Sequence, residues 1–177
     1  MLIVKHKFFD HKINVDTETL IIGTFNPNTK GNEADFFYGR PKNYLWRLLP
    51  GAYNEQDLKG KSKQEKLVFI KKVKVDFIDI ILEAHMEESK IDKYDDKYLD
   101  NKVSEWRNVI NEIEILKNLK RICFTRSTFS DVPNMKLKVG EIQSYCFDNN
   151  IRFECLKTPA RFYNTTKQAQ WTDFFTK

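Results

Sequence analysis

The chain has 177 residues, a net charge of +5 and a sequence pI near 9.0. We expect residues 1–177 to form a single domain, because this length is enough to bury a sizeable core. Its three cysteines, Cys123, Cys146 and Cys155, lack ligand spacing, which argues against a disulfide scaffold, a structural zinc site and a four-cysteine iron–sulfur cluster. No apolar run has membrane-spanning length and no signal-peptide pattern is present, so we expect a cytoplasmic protein.

The first recognisable element is a short buried strand. Short apolar segments in Met1 to Val15 predict an edge strand or a segment packed on the sheet. Leu20 to Ile22 is an apolar, β-branched run typical of a fully buried strand. Gly23 and the turn residues Thr24 to Asn28 follow it, and such a turn lets the backbone approach a ligand closely. In open α/β sheets, ligands bind outside the carboxyl ends of the strands.

A loop and a helix are predicted next. Lys30 to Asp35 is polar, and we expect a mobile loop there. The aromatic cluster Phe36 to Tyr38 comes next, and Tyr44 to Leu49 predicts a buried helix that ends at Pro50 and Gly51. Together these segments indicate a pocket with a flat aromatic wall and an amide at its floor.

The remainder alternates between predicted strands and helices. We predict strands at Val73 to Leu82, Arg121 to Thr125 and Ile151 to Leu156, helices at Gln64 to Lys72, Glu105 to Leu119 and Val139 to Asn149, and a last helix ending at Phe175. Glu83 to Glu105 is acidic on balance and predicts an exposed loop and helix away from any nucleic-acid face. This order favours a three-layer α/β/α sandwich around a short, mainly parallel four-stranded sheet.

The stretch from Leu20 to Leu49 resembles the uracil-DNA glycosylase superfamily. The nearest branches are the mismatch-specific uracil/thymine-DNA and the hypoxanthine-DNA glycosylases. The matching positions are Gly23, Asn26, Pro27, Tyr38, Gly39, Arg40, Pro41, Asn43, Leu45 and Trp46. The resemblance covers most of the chain beyond Leu20, more loosely after this stretch, and includes Lys167 and Trp171 in the last helix.

The resemblance implies a DNA glycosylase that hydrolyses the N-glycosidic bond of uracil or hypoxanthine, and it does not choose between these bases. Asn26 then positions the attacking water, and Tyr38 stacks on the flipped base, with Phe37 as a nearby substitute. The implied base-binding residues are Gly23, Thr24, Phe25, Tyr38 and Asn43, and the implied DNA-binding residues are Arg40, Lys157, Thr158, Pro159, Arg161 and Phe162. No metal or organic cofactor is implied, and we expect a monomer whose partner is DNA.

Several positions keep alternatives open. Asn26 could form an Asx-turn, Asn43 could cap the following helix, and Asp79 could cap a helix or pin a loop. Thr125-Arg126 replaces the Asn-Gly usual in similar proteins, and Ala160 replaces a serine. A non-catalytic nucleic-acid-binding relative and a hydrolase of free nucleosides or nucleotides therefore remain alternatives. The lysine-rich stretch from Lys59 to Lys74 suits a solvated helix face better than phosphate contact.

Overall fold

The computed structural model describes all 177 residues, which form seven strands and six α-helices. The strands are β1 (Leu2–Lys5), β2 (Thr19–Gly23), β3 (Val75–Asp79), β4 (Ile81–Met86), β5 (Val103–Trp106), β6 (Arg121–Phe124) and β7 (Arg152–Cys155). The helices are α1 (Leu45–Ala52), α2 (Lys63–Val73), α3 (Asp96–Asp100), α4 (Val109–Ile113), α5 (Pro133–Asp148) and α6 (Thr165–Thr176), and a short 3-10 helix spans Glu88–Lys90. No helix is both long enough and apolar enough to cross a membrane.

The predicted four-stranded parallel sheet is confirmed. Its order is β3-β2-β6-β7, and every neighbouring pair is parallel. β2 and β3 are buried along their whole length, as expected of parallel strands covered on both faces. The connection from β2 leaves toward β3, and the connection from β6 leaves toward β7. The strand order therefore reverses between β2 and β6, where open α/β sheets form a crevice.

Alternation along the strands builds a core on each face of this sheet. Leu20, Ile22 and Phe124 face a cluster that includes α4, α5 and part of a second sheet. Ile21 and Phe77 face a cluster formed with α1, α2 and α6. The period of two along each strand thus produces the expected three layers, with a small antiparallel sheet added to one outer layer.

That antiparallel sheet was not predicted, and its strands replace parts of two predicted elements, the strand Val73 to Leu82 and the helix Glu105 to Leu119. Its order is β1-β4-β5, so the N-terminal segment does supply an edge strand. The predicted strand Val73 to Leu82 is wrong as one element, because it divides at Ile80 between the two sheets. Arg107 marks the division: its Nε donates to the backbone carbonyl of Asp79 (2.9 Å), and its N–H donates to Ile80 (2.8 Å).

The predicted helix Glu105 to Leu119 is also wrong in its extent. Trp106 ends β5 and is half-buried, and the helix itself spans only Val109–Ile113. Asn108 begins this helix, because its side-chain oxygen accepts the N–H of Asn111. The apolar residues do pack on the core, yet they do so from a strand, a short helix and a turn in succession.

α1 continues past the point where proline was predicted to end it. Pro50 lies inside the helix, and its ring nitrogen cannot donate to the carbonyl of Trp46. The N–H of Leu58 bonds to that carbonyl instead, at 2.8 Å. An external donor therefore satisfies the group that proline leaves free, and the helix runs on to Ala52.

Glu18 links the beginning of the parallel sheet to two lysines. Its carboxylate contacts Lys74 and Lys120, each at 2.6 Å, and these partners lower the pKa of Glu18 from 4.5 to about 2. A depressed folded-state pKa stabilises the protein above pH 4.5, and this contribution is lost as the pH falls toward 2. We expect Glu18→Gln to lower the free energy of unfolding by about 1 kcal/mol at pH 7, because exposed pairs are screened by solvent.

Denaturant titrations of the Glu18→Gln variant at several pH values check this expectation. The difference from the parent protein should shrink between pH 4.5 and about 2. Glu114→Gln, at an exposed glutamate outside the ion pairs, is the matched control and should change stability little. A Glu18→Gln effect that stays constant across this pH range would contradict the ion-pair explanation.

Candidate active site

A cleft of about 980 Å³ opens at the carboxyl ends of the parallel strands. The segments that follow β2, β6 and β7 line it, together with Asp79 at the end of β3. The predicted residues that it brings together are Thr24, Phe25, Asn26, Tyr38, Arg40, Asn43, Thr158 and Arg161. The cleft therefore lies where the order of strands reverses, and most of the predicted site residues meet there.

The floor of the cleft carries free backbone donors. The N–H groups of Thr24, Phe25 and Asn26 donate to no protein atom, whereas the N–H of Asn28 donates to Lys5 at 2.8 Å. An unpaired N–H group beside a cavity is available to an acceptor oxygen of a bound molecule.

The Asn26 side chain is held rigidly at this floor. Its Oδ1 accepts from Nδ2 of Asn32 at 2.5 Å, and the same Nδ2 donates to the carbonyl of Pro27 at 2.7 Å. The N–H of Ala34 donates to Asn32 Oδ1, which fixes the orientation of the Asn32 amide and hence that of Asn26. The second lone pair of Asn26 Oδ1 stays available to a water. Asn32 also anchors the polar loop that was expected to be mobile.

Tyr38 stands against the carboxyl end of β2 in a strained backbone conformation. Its φ angle is 56°, in the left-handed region that non-glycine residues rarely adopt. Its hydroxyl lies 3.1 Å from Thr125 Oγ1, which in turn is 3.3 Å from the carbonyl of Ile22. Burial, followed by the charge of Asp79, holds the pKa of Tyr38 well above its ordinary value, so the phenol stays neutral. Thr125, which departs from the family pattern, thus positions this tyrosine.

Gly23 makes the close approach of Tyr38 possible. A Cβ at this position would lie 2.5 Å from the Tyr38 hydroxyl and 2.2 Å from Oδ1 of Asp79. Only glycine leaves room for both polar groups at the end of β2. The prediction of a small residue at the floor therefore has a steric cause.

The suggestion that Phe37 could substitute for Tyr38 is wrong. Phe36 and Phe37 are both buried among core aromatics, and the Phe37 ring stacks on Phe77 at 5.8 Å between centroids. Tyr94 is an aromatic residue of the cleft that the sequence analysis missed. The guanidinium of Arg40 lies 5.6 Å from its ring centroid.

Tyr94 belongs to a segment that was predicted to lie elsewhere. Residues 94–97 all line the cleft, so the placement of this acidic stretch away from the site is wrong. The guanidinium of Arg126 neutralises part of its charge by contacting Asp96 at 2.7 Å, and it also contacts Asp131 at 2.5 Å. Arg126 and Asp96 are 30 residues apart, so the local composition of the acidic stretch could not reveal this pair.

Asn43 forms an Asx-turn directly before α1, whose N-cap position is Tyr44 and has no side-chain cap, so its alternative role as the helix cap is not observed. Its Oδ1 accepts the N–H of Leu45 at 3.0 Å, at the beginning of α1. Asn43 also pairs with Ala160 in an isolated bridge, while the N–H of Tyr44 donates to Pro159 at 2.9 Å. Asn43 lines the cleft as well. The residues before α1 and the loop after β7 therefore form one wall.

The last helix anchors the loop from Lys157 to Phe162 at both ends. The buried Lys167 donates to the carbonyls of Ala160 (3.2 Å) and Phe162 (2.7 Å), and Trp171 Nε1 donates to that of Lys157 (3.1 Å). Burial, with a smaller contribution from Lys157, lowers the pKa of Lys167. The lysine–tryptophan pattern thus has a structural role.

Within this loop the side chains differ in exposure. Arg161 has a φ of 75° and lines the cleft, and 56% of Phe162 is exposed. Pro159 is buried, and Lys157 is exposed outside the lining of the cleft. Arg161 and Phe162 are the large side chains at the end of the loop that can reach a bound molecule, and Thr158 also lines the cleft.

Two lysines of the basic stretch contact the residues on either side of Tyr38 in the segment from Asp35 to Asn43. Lys66 is buried and contacts Asp35 at 2.8 Å, and Lys59 Nζ donates to the carbonyls of Pro41 (2.5 Å) and Asn43 (2.8 Å). These lysines therefore stabilise the wall of the cleft, neither as a solvated face nor as phosphate contacts.

Asp79 reaches the cleft floor with its carboxylate, which neither caps a helix nor pins the following loop. Its Oδ2 lies 2.7 Å from Nε2 of His6, and both side chains are buried. No cluster of three or more His, Cys, Asp or Glu side chains has an arrangement that could hold a metal ion.

The fold is a three-layer α/β/α structure that is shared with a known protein. It matches the solution NMR structure of a Methanosarcina acetivorans protein described as a "putative Uracil DNA glycosylase", with a TM-score of 0.64 and 21% sequence identity. The match covers 92% of this chain and 91% of that one. No protein-family model and no curated protein sequence matches the chain. At this identity the likeness establishes a shared fold.

Proposed function

We propose that this protein is a DNA glycosylase that hydrolyses the N-glycosidic bond of a deaminated base, uracil or hypoxanthine, flipped out of DNA. One observation carries the proposal: the rigid amide of Asn26 and the ring of Tyr38 meet in one cleft at the reversal of strand order, in a segment with three backbone N–H groups that have no protein acceptor. A resemblance in motif and a match in fold to a protein described as such an enzyme agree with it.

The chemistry needs donors at the base and a held water at the sugar. Negative charge develops on a departing base, and the free N–H groups of residues 24–26 stabilise it without reorganisation. Positive charge develops on the sugar, so even a weakly activated water suffices when it is held in place. Asn26 Oδ1 accepts a hydrogen bond from that water while Asn32 keeps the amide from rotating, and the water's proton passes to the departing base or to solvent as the C–N bond breaks.

Tyr38 serves as the wall on which the extruded base stacks. We expect Tyr38→Ala to weaken productive binding by about 10- to 100-fold, because stacking contributes roughly 1–3 kcal/mol per base. Tyr38→Phe keeps the ring and loses only the hydrogen bond to Thr125, so it should retain most activity. Single-turnover rates measured at increasing enzyme concentration separate binding from chemistry. Equal damage from both substitutions would assign the effect to the hydroxyl instead of the ring.

The DNA contacts come from the rim of the cleft. Arg40, Lys42 and Arg161 line it and form no ion pair with a protein carboxylate. The loop from Lys157 to Phe162 then meets the duplex, with Lys157 at a phosphate. Such cations attract DNA through counterion release. A single copy of the chain contains all of these residues, consistent with a monomeric enzyme.

An excision screen tests the proposed function. Oligonucleotides that carry uracil, hypoxanthine, xanthine, or G·U and G·T mismatches are incubated with excess enzyme, and abasic sites are then cleaved with alkali. We expect release of uracil or hypoxanthine. Turnover of free deoxyuridine or deoxyinosine with no activity on DNA would instead identify a nucleoside hydrolase, and inactivity on every substrate would favour a non-catalytic relative.

A further inference from the structure

β3 carries two buried aspartates, and a histidine from the N-terminal segment bonds to each. His11 lies 2.7 Å from Oδ1 of Asp76, and His6 lies 2.7 Å from Oδ2 of Asp79. The pairs differ in the second oxygen. Asp76 Oδ2 accepts the N–H of Asn14 at 2.8 Å, whereas Asp79 Oδ1 accepts from no protein group. Both carboxylate oxygens of Asp76 therefore accept hydrogen bonds, whereas one oxygen of Asp79 has no donor within the protein.

The free oxygen of Asp79 faces the cleft. The Asp79 side chain is only 6% exposed, and the residue lines the cavity. The only completely enclosed side-chain polar atom without a hydrogen bond is Thr17 Oγ1, so Asp79 Oδ1 is open to the cavity. It lies against Gly23, directly before the free N–H groups of residues 24–26.

His6 holds this carboxylate in one orientation. The N–H of Phe8 donates to Nδ1 of His6 at 3.0 Å, so that nitrogen carries a lone pair. The ring proton is then on Nε2, which donates to Asp79. His6 therefore orients the Asp79 carboxylate and leaves its second oxygen as a hydrogen-bond acceptor for the cleft.

Asp79 Oδ1 can accept a hydrogen bond from a ring N–H of a base, and the nearby backbone N–H groups of residues 24–26 can donate to a carbonyl next to that N–H. Uracil and hypoxanthine both contain this lactam unit. Cytosine and adenine carry a ring nitrogen lone pair and an amino group at the corresponding positions. A carboxylate attracts the ring N–H and repels the lone pair, so the same site separates the two kinds of base.

We infer that Asp79 is a specificity-determining residue whose Oδ1 accepts the ring N–H of a lactam-containing base, with His6 as its positioning residue. This inference rests on the proposed function and names the feature of the base that the site recognises. The negative charge of Asp79 opposes charge on the departing base, and the N–H donors of residues 24–26 offset that repulsion. Asp79 thus improves recognition of the base but somewhat lowers the rate at which the glycosidic bond breaks.

Asp79→Asn inverts the hydrogen-bonding character of the site. The His6 Nε2–H keeps the new carbonyl oxygen on its side, and the NH₂ group turns toward the cleft. Binding is measured with oligonucleotides that carry 2′-fluorinated uracil or cytosine nucleotides, because the fluorine disfavours a cationic sugar and prevents excision. The parent protein should prefer uracil by about tenfold or more, and Asp79→Asn should lose or reverse this preference. An unchanged preference would overturn the inference.

Asp76→Asn is the matched control, since it changes the saturated histidine–aspartate pair on the same strand. It should lower stability and leave the base preference unchanged. His6→Gln retains an N–H donor and should keep the preference, while His6→Phe should lose it with normal affinity for undamaged duplex. Loss of the preference in His6→Gln and His6→Phe alike would contradict a positioning role.

The parent protein also tests the inference without any substitution. In N3-methyluracil a methyl group replaces the ring proton, so its 2′-fluorinated nucleotide should bind about tenfold or more weakly than that of uracil. Equal binding of the two would overturn the inference even if the Asp79 variants fail to fold. A base preference without any excision would contradict the proposed glycosylase activity and support the specificity role of Asp79. Excision together with an unaltered base preference in Asp79→Asn would contradict only the specificity role of Asp79.

Discussion

Asn26→Ala should reduce the single-turnover excision rate by about a hundredfold or more while DNA affinity stays near that of the parent protein. The substitution removes the oxygen that Asn32 holds at the floor of the cleft, and hence the acceptor for the attacking water. The backbone N–H groups and the Tyr38 wall remain, so the base still binds. Rates at saturating enzyme and a separate binding titration distinguish these two effects.

Asn28→Ala is the control for this prediction. Asn28 is an exposed amide two residues further along, and its side chain forms no hydrogen bond within the protein. Its backbone N–H, which donates to Lys5, is unaffected by the change. We expect unaltered excision. A fully active Asn26→Ala variant would return Asn26 to the role of a turn residue.

The combined substitution of Arg161 and Phe162 by alanine should depend strongly on the strandedness of the substrate. Extruding a base from a duplex costs a few kcal/mol unless a side chain fills the gap. These residues end a loop that Lys167 and Trp171 anchor, so the loop can hold their side chains in the gap between the stacked bases. We expect a loss of about 10- to 100-fold on duplex DNA and a much smaller one on single strands, where no stack must be opened.

Two further variants make the loop experiment specific. Phe147→Ala removes an exposed phenyl group at the far end of α5 and should leave the excision rate unchanged on both duplex and single-stranded DNA. Lys157→Ala should reduce the slope of log affinity against log salt by about one, as expected for the loss of one phosphate contact. Equal losses on single- and double-stranded DNA in the Arg161 and Phe162 variant would contradict insertion into the stack.

The parts of the fold that follow from local patterns were predictable. β2 is a continuous apolar run between polar residues, and the parallel sheet follows from the alternation of strands and helices. The division at Ile80 was not predictable, because strand-forming residues continue on both sides of Asp79 and only the pairing partners change. Trp106 fits a helical period as well as a strand, and only pairing with Ile81 decides between them.

The candidate site divides in the same way. Asn26 and Tyr38 were predicted to meet because motifs after parallel strands converge on one edge of the sheet. His6 and Asp79 are 73 residues apart, and no local pattern links them. Phe37 and Tyr38 are adjacent aromatics, and the left-handed turn at Tyr38 decides which of them reaches the cleft. Tyr94 enters the cleft only through the tertiary path of its loop.

The most direct test of the proposed function is the identity of the product released from a uracil- or hypoxanthine-containing oligonucleotide. Chromatography and mass spectrometry after a single turnover should show the free base together with an intact strand that carries one abasic site. The parent protein should form both products in equal amounts, and Asn26→Ala should form them far more slowly. Release of a nucleoside or nucleotide, cleavage of the strand, or no free base from either substrate would contradict a glycosylase that acts through Asn26.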